Sequence, residues 1–447
     1  MNRSDALAEA FLAELSVTDD SHPNTYHAIS DVARDVLTVE KNDPAWSAAR
    51  VLRRLSDPDR ILSFRVTWED DNGDVRVNRG WRVQGSNAIG PYKGGLRFHP
   101  SVNEDVLRFL AFEQCFKNAL TGLPLGGAKG GANLDPRGLS EREIMRFCQA
   151  FMAQLEPFVG PDQDVPAGDI NVGAREIGYL FGAWRQRRGL YQGSLTGKGL
   201  SYGGSEMRIE ATGFGLVYFV QAALAEQGHD IKGKRVAISG KGNVATHAAL
   251  KATEEGARVI SLSDTSGTLV APDGMSPDLI RWVQERKARG EDLSDPPKSD
   301  AAQFREGEVP WDLEPDIALP CATQNELDAS MARTLIDGQV EMVAEGANMP
   351  LTSDAARVLR HAHVVHLPGK AANAGGVAVS GLEMSQMSQR RFASAEDVDA
   401  SLRSIMADIH ARVSEEGRGT GEIDYVRGAN LAGYRRLAKA ISAQGIL

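Results

Sequence analysis

Three lysines in the first half of the chain stand where chemistry is possible. Lys93 lies in PYKGGLR (91–97), Lys117 in EQCFKNAL (113–120) and Lys129 in GGAKGG (126–131). Glycine beside a lysine lets a ligand, or another stretch of backbone, come close to it. Lys93 and Lys129 therefore read either as cations placed for an anionic ligand or as parts of a mobile basic loop. Lys117 falls in NEDVLRFLAFEQCFKNAL (103–120), where Val106, Leu110 and Leu120 suit a helix. Gln114 is three residues before Lys117 and shares its face. A lysine among bulky apolar neighbours is ordinarily a snorkelling surface residue. Asp169, in PAGDI, reads by itself as a turn or helix N-cap aspartate after PAG. A buried lysine near other cations loses its proton more easily and can then exchange protons near neutral pH.

The second half holds a different constellation. The strand-like RVAISG (235–240) runs into Gly240-Lys241-Gly242-Asn243-Val244-Ala245, a G-x-G-x-x-A turn. The first glycine permits the tight turn, the second admits a pyrophosphate, and the small third residue lets helix and strand pack closely. The helix N-terminus then offers free N–H groups and the positive end of its dipole. An acid, Asp264, ends the next strand 24 residues on, as the dinucleotide fingerprint requires. That acid favours NAD through the ribose 2′-hydroxyl. Lys241 inside the turn, Thr265-Ser266, and Lys287 and Arg289 downstream suit a 2′-phosphate instead. The motif alone leaves NAD(H) and NADP(H) both open.

These residues need a scaffold of alternating strands and helices, and the chain reads as α/β throughout. Its 447 residues exceed one ordinary core, so two domains are expected. The character changes near residue 200. Before it, glycine clusters surround lysines. After it come a helical run (211–228) and strands at 235–240, 257–264, 316–320, 341–347 and 363–369, several rich in Val and Ile, as in a parallel sheet buried on both faces. The polar segment 291–315, with Pro296-Pro297, reads as mostly surface connection. We expect a substrate-binding and oligomerisation domain at 1–200, to which a C-terminal helix of about 425–447 returns, and a Rossmann-type dinucleotide-binding domain at 201–424. The N-terminus is an amphipathic helix, with Leu7, Phe11 and Leu15 spaced by four, and not a signal peptide. Net charge is −10 and no basic excess appears, which argues against a nucleic-acid partner. No apolar run approaches the ~18 residues of a membrane span. Three scattered cysteines suggest neither a metal site nor a disulfide framework, and a reduced, cytoplasmic setting follows.

The blocks PYKGGLRFHPSV, LPLGGAKGG, DVPAGDI, EATGFGLVYF, SGKGNVA, ALPCATQNEL, AEGANMP and PGKAANAGGVAVSGLEMSQ resemble the hexameric glutamate dehydrogenases, in that family's order and spacing, from about Val51 to the C-terminus. The nearest likeness is to the NADP-dependent, biosynthetic branch. The resemblance implies an N-terminal substrate and oligomerisation domain, a modified Rossmann domain, and an active site in the interdomain cleft of a homohexamer. It implies that Lys93 and Ser380 hold the γ-carboxylate of the substrate, that Lys117 and Gln114 hold its α-carboxylate, and that backbone at Gly168 lines the site. Lys129 is then the catalytic lysine and Asp169 its proton-transfer partner. Thr212, the Gly240–Val244 turn, Asp264 and Asn348 would contact the dinucleotide.

The implied activity is reversible reductive amination of 2-oxoglutarate with ammonium and NADPH to L-glutamate. A five-carbon diacid needs two fixed cations in a closed site, because an unpaired buried charge is costly. Lys93 and Lys117 meet that need and disfavour substrates with apolar side chains. Two other readings are an NAD-dependent catabolic enzyme, which Asp264 suggests, and a catalytically inactive regulatory homologue. Against the latter, Lys93, Gln114, Lys117, Lys129, Asp169 and Ser380 are all present.

Overall fold

In the first half, a five-stranded sheet has the order β1-β2-β4-β3-β5. Its strands are β1 (Arg60–Glu69), β2 (Val75–Ser86), β3 (Tyr92–Phe98), β4 (Gly127–Ala132) and β5 (Asp164–Gly168). β1 and β2 form a hairpin in which the Asp70 carboxylate accepts from the N–H groups of Asn72 and Asp74. β2 pairs antiparallel with β4, whereas β3 runs parallel to both β4 and β5. The computed structural model describes residues 3–297, 301–419 and 421–446.

Two of the inner strands, β3 and β4, are made of the glycine-rich lysine segments. β3 and β4 are buried at every position. Neither is a mobile loop. The glycines are there for other protein atoms: a methyl group on Gly94 would lie 1.6 Å from the carbonyl oxygen of Ala128, and one on Gly127 would meet Cys115. Cys115 belongs to the helix Glu104–Leu120, which Asn103 caps through a bond to the Val106 N–H. On the sheet's other side Phe98, Phe147, Phe151 and Trp68 share one core.

The second sheet has the order β12-β11-β10-β6-β7-β8-β9. Its strands are β6 (Arg235–Ile238), β7 (Arg258–Asp264), β8 (Gly267–Val270), β9 (Gln303–Glu306), β10 (Ile317–Leu319), β11 (Met342–Ala344) and β12 (Val365–Leu367). The run from β12 to β7 is parallel, and β8 and β9 add antiparallel at one edge. The strand order reverses at β6, with β7 on one side and β10 on the other. Ligands of doubly wound sheets bind beyond the strand ends at such a switch point.

By spatial grouping the chain forms two units, one of residues up to Glu206, Val379–Val398 and from Asn430 on, the other of Met207–Ala378 and Asp399–Ala429. Val379–Val398, which the sequence reading leaves in the second domain, groups here with the first. A buried ion pair accounts for this. Glu383 accepts from Lys198 Nζ at 2.5 Å and from the Gly197 N–H at 2.8 Å, and neither side chain of the pair reaches solvent. The segment 291–315 is less of a surface connection than its composition suggests. It contains β9 and a short 3-10 turn at Pro310–Asp312 whose Trp311 is buried; residues 298–300 lie outside the described residues. The C-terminal helix spans Tyr425–Gln444, and Tyr434, Leu437 and Ile441 enter a first-unit core. Among the described residues no helix is long and apolar enough to cross a membrane, and no cluster of His, Cys, Asp or Glu could hold a metal ion.

Candidate active site

In the first unit, β4 carries Lys129 and β3 carries Lys93, both almost wholly buried. Asp169 follows β5 directly. Its two carboxylate oxygens are divided between two cations: Lys129 Nζ lies 3.1 Å from Oδ1, and Arg97 Nε donates to Oδ2 at 2.9 Å. Burial lowers the Lys129 pKa. Asp169 opposes that, and the charges of Arg97 and Arg82 add to it. For Asp169, burial would raise the pKa, but Lys129 and Arg97 outweigh it and hold the carboxyl well below the usual carboxylate range. The pair is therefore a lysine inclined to lose its proton beside a fixed carboxylate.

Asn118 joins the other candidates. Gln114 Nε2 donates to Asn118 Oδ1 at 2.7 Å, and Asn118 Nδ2 donates to the Lys93 carbonyl at 3.1 Å and to the Gly126 carbonyl. Gln114 is thus tied to the strands of Lys93 and Lys129. Lys117 is half-buried one helical turn from Gln114. Gly168 pairs with Leu96 in the β3/β5 register. Ser380 is buried on the helix Gly375–Gln389. The next residue, Gly381, packs on Leu123 and Leu125, the segment that leads into β4. Arg97 and Asn118 were not legible as site residues from their segments. Alternation along a strand puts Lys93 and Arg97 on one face of β3, a signal available only once β3 is recognised as a strand. The hydroxyls of Ser194 and Thr196 are also fully buried without a hydrogen-bond partner, and the Thr196 N–H donates to the Pro166 carbonyl beside β5.

In the second unit the glycine turn follows β6 and leads into the helix Asn243–Glu254. Gly240 has φ +87°, and a side chain there would press on Cys321 and Ala322, the residues that follow β10. Ser263 Oγ accepts from the Gly240 N–H, and Ser239 Oγ accepts from the Cys321 N–H. These bonds fix the turn against its neighbours on both sides. Over Gly242 the space is open, with Lys287 Nζ the nearest atom at 4.0 Å. Helix N-terminus and open glycine fit a pyrophosphate, and the Lys287 ammonium adds a cation at the edge of that space. Val244 and Ala248 pack on Gly213, beside Thr212, whose Oγ1 lies against Gly376. Asn348 Oδ1 accepts from Asn373 Nδ2 at 3.2 Å. Lys241 Nζ bonds Asp264 Oδ2 at 2.6 Å and the Glu291 carbonyl at 2.7 Å. Ser266 takes the other oxygen of Asp264 through its N–H and hydroxyl. Lys287 Nζ donates to Asn243 Oδ1 at 3.0 Å.

A dinucleotide-type sheet and, in the other unit, a buried lysine–aspartate pair are the marks of a dehydrogenase working on a polar substrate. Residues 58–186 match the family "Glu/Leu/Phe/Val dehydrogenase, dimerisation domain" and residues 203–445 match "Glutamate/Leucine/Phenylalanine/Valine dehydrogenase". The chain belongs to this family. It is 50% identical to the NADP-specific glutamate dehydrogenase of Haemophilus influenzae over 99% of each chain. It is 49% identical to the NAD-specific glutamate dehydrogenase of Bacteroides fragilis over 98% of this chain and 99% of that one. A crystal structure of Plasmodium falciparum glutamate dehydrogenase superposes with a TM-score of 0.95 at 40% identity, covering 100% of this chain and 95% of that one.

Proposed function

We infer that this chain is an NADP-dependent glutamate dehydrogenase, which converts 2-oxoglutarate, ammonium and NADPH reversibly to L-glutamate. The observation that carries the reading is the 3.1 Å contact between Lys129 on the buried strand β4 and Asp169 just after β5, with the Lys129 pKa lowered by burial. Full-length likeness to glutamate dehydrogenases supports the substrate.

Lys93 and Ser380 hold the γ-carboxylate, and Lys117 and Gln114 hold the α-carboxylate. The ketone carbon is then fixed beside Lys129. Ammonia adds to that carbon while the Lys129 ammonium gives its proton to the oxygen, forming a carbinolamine. The nitrogen then loses a proton to Asp169, which passes it to Lys129 and so to the same oxygen, and water leaves to form an iminium. Asp169 takes and returns the protons on nitrogen. When bound, the nicotinamide supplies the hydride. In reverse, neutral Lys129 takes a proton from the water that attacks the imine. General acid–base catalysis of this kind contributes about 10²–10⁴-fold.

The NADP preference is supported by charge. Both oxygens of Asp264 are engaged, one by the Lys241 ammonium, so the acid is neutralised where it would repel a 2′-phosphate. Lys287 adds a further cation. Asp264 itself is what favours NAD(H) as the second reading. A homohexamer in a reduced, cytoplasmic setting belongs to the same proposal, supported by the family resemblance and by three buried, free cysteines.

A rate assay at 340 nm with 2-oxoglutarate and ammonium, comparing NADPH with NADH, tests the reading. Faster turnover with NADPH is expected. Preference for NADH would reverse the cofactor assignment and leave the chemistry standing, and no rate with either would favour an inactive homologue. Lys129→Ala is expected to cut turnover at least 100-fold, on the order set by lost acid–base catalysis.

A further inference from the structure

Arg97 is a buried cation to which nothing in the reaction above assigns work. It is 8% exposed, and a buried guanidinium is retained at a cost unless it is paired. Its partner is the Asp169 carboxylate, through Nε and Oδ2. The opposite oxygen, Oδ1, faces Lys129. The three groups thus form a line, guanidinium–carboxylate–ammonium, with two positive charges and one negative in a buried place.

We propose that Arg97 is a positioning residue of the proton-transfer site: it holds one oxygen of Asp169 in place and supplies the charge that leaves Lys129 free to give up its proton. The inference rests on the proton-transfer roles proposed for Lys129 and Asp169. Alone with Lys129, Asp169 would bind the ammonium as a simple ion pair and keep it protonated. With Arg97 present, the carboxylate is already neutralised, so a neutral Lys129 leaves no buried anion unpaired. A second consequence is geometric. Because Oδ2 is occupied, the carboxylate cannot rotate away, and Oδ1 alone is presented to Lys129 and to the substrate nitrogen.

The other charges around Lys129 do not substitute for Arg97. On β2, Arg82 is committed to Asp164 of β5 through two bonds, at 2.5 and 3.0 Å, with both side chains fully buried. On β3 the remaining cation is Lys93, assigned to substrate. The helix Glu104–Leu120, packed on β4, brings Glu113 and Lys117 in its last turns, and Lys117 is likewise assigned to substrate. Beside Lys129 itself, Arg97 is the cation paired with the Asp169 carboxylate.

The proton balance makes the effect measurable in the oxidative direction. Water forms a C–O bond to the imine carbon and its proton goes to Lys129, which must therefore start neutral. Activity then rises with pH as Lys129 loses its proton. Removing the Arg97 charge favours the ammonium form, so that rise must move to higher pH. The test is the pH dependence of kcat for glutamate oxidation with NADP⁺, in the full-length enzyme. Arg97→Gln is expected to move the midpoint of the rise up by about one pH unit and to leave KM for glutamate little changed. Arg97→Lys keeps the charge but not the fork, so its midpoint is expected near the parent's with a lower plateau kcat. A rate lowered equally at every pH in Arg97→Gln, with the midpoint unmoved, overturns the proposal. If Arg97→Gln does not fold, Arg97→Lys decides alone: a parent-like kcat, or a midpoint displaced by a full unit, overturns it. The underlying reading fails separately, by Lys129→Ala retaining near-normal turnover.

Discussion

Cofactor choice is the property most sharply exposed to a single substitution, at Lys287. Two ammonium groups flank the glycine turn, and they are not equivalent. Lys241 is already held by the Asp264 carboxylate and by the Glu291 carbonyl. Lys287 donates to the neutral side-chain oxygen of Asn243, the first residue of the helix that follows the turn. Its charge is therefore the one uncompensated by a carboxylate there, and it lies nearest to the open space over Gly242. A hydrogen bond to a charged group is worth about 1.5–3 kcal/mol, or roughly 10–150-fold in binding. Lys287 is exposed, so solvent screening places its share at the lower end, about tenfold. Lys287→Ala is expected to lower kcat/KM for NADPH by about that factor and to leave NADH within about twofold, since NADH carries no 2′-phosphate. The readout is the ratio of the two kcat/KM values at fixed 2-oxoglutarate and ammonium. Equal losses with both cofactors would mean that Lys287 serves the shared pyrophosphate or the fold. An unchanged ratio with unchanged rates would remove it from the site.

Two further expectations concern stability. Lys198→Met leaves the fully buried Glu383 carboxylate without its cation, which should cost about 3–5 kcal/mol, while Lys198→Met/Glu383→Met, which removes both charges, should regain most of it; thermal unfolding of the two variants beside the parent checks this, and a single variant as stable as the double would refute it. Asp169 has a folded-state pKa below the 3.8 of the free side chain, so its contribution is present above the unfolded value and is lost as pH falls through the folded one. In Asp169→Asn the unfolding midpoint should therefore vary less steeply with pH below about 5, even though absolute stability falls because Lys129 and Arg97 lose their shared anion; a slope equal to the parent's would place the linkage elsewhere.

The two units differ in how much of them could be read from sequence, and the difference is physical. In the dinucleotide unit the parallel strands announce themselves, whereas the antiparallel β8 and β9 do not. RVAISG and ARVISLSD are Val- and Ile-rich because both faces of a parallel sheet are covered, and the turn after β6 is specified by local backbone needs at Gly240. The first unit's β3, β4 and β5 carry no such pattern. GGAKGG has neither β-branched residues nor alternation, and by propensity it is a poor strand. It becomes one because a helix and two strands close on it with no room for side chains at Gly94 or Gly127. The glycines that seemed to make way for a ligand make way for protein, and this answers why a charged residue stands among them. On a strand stripped to backbone, Lys129 is the one long side chain, and its direction is fixed by the pleat. A flexible loop would leave its ammonium to solvent. Held in the sheet, it is desolvated and brought to Asp169 at a set distance, which is the condition for a lysine to exchange protons near neutral pH. Arg97 was hidden because β3 carries no strand pattern. As part of a loop it is a flanking charge; as the residue four positions after Lys93 on β3, it lies on the same face and its contact with Asp169 follows from the pleat.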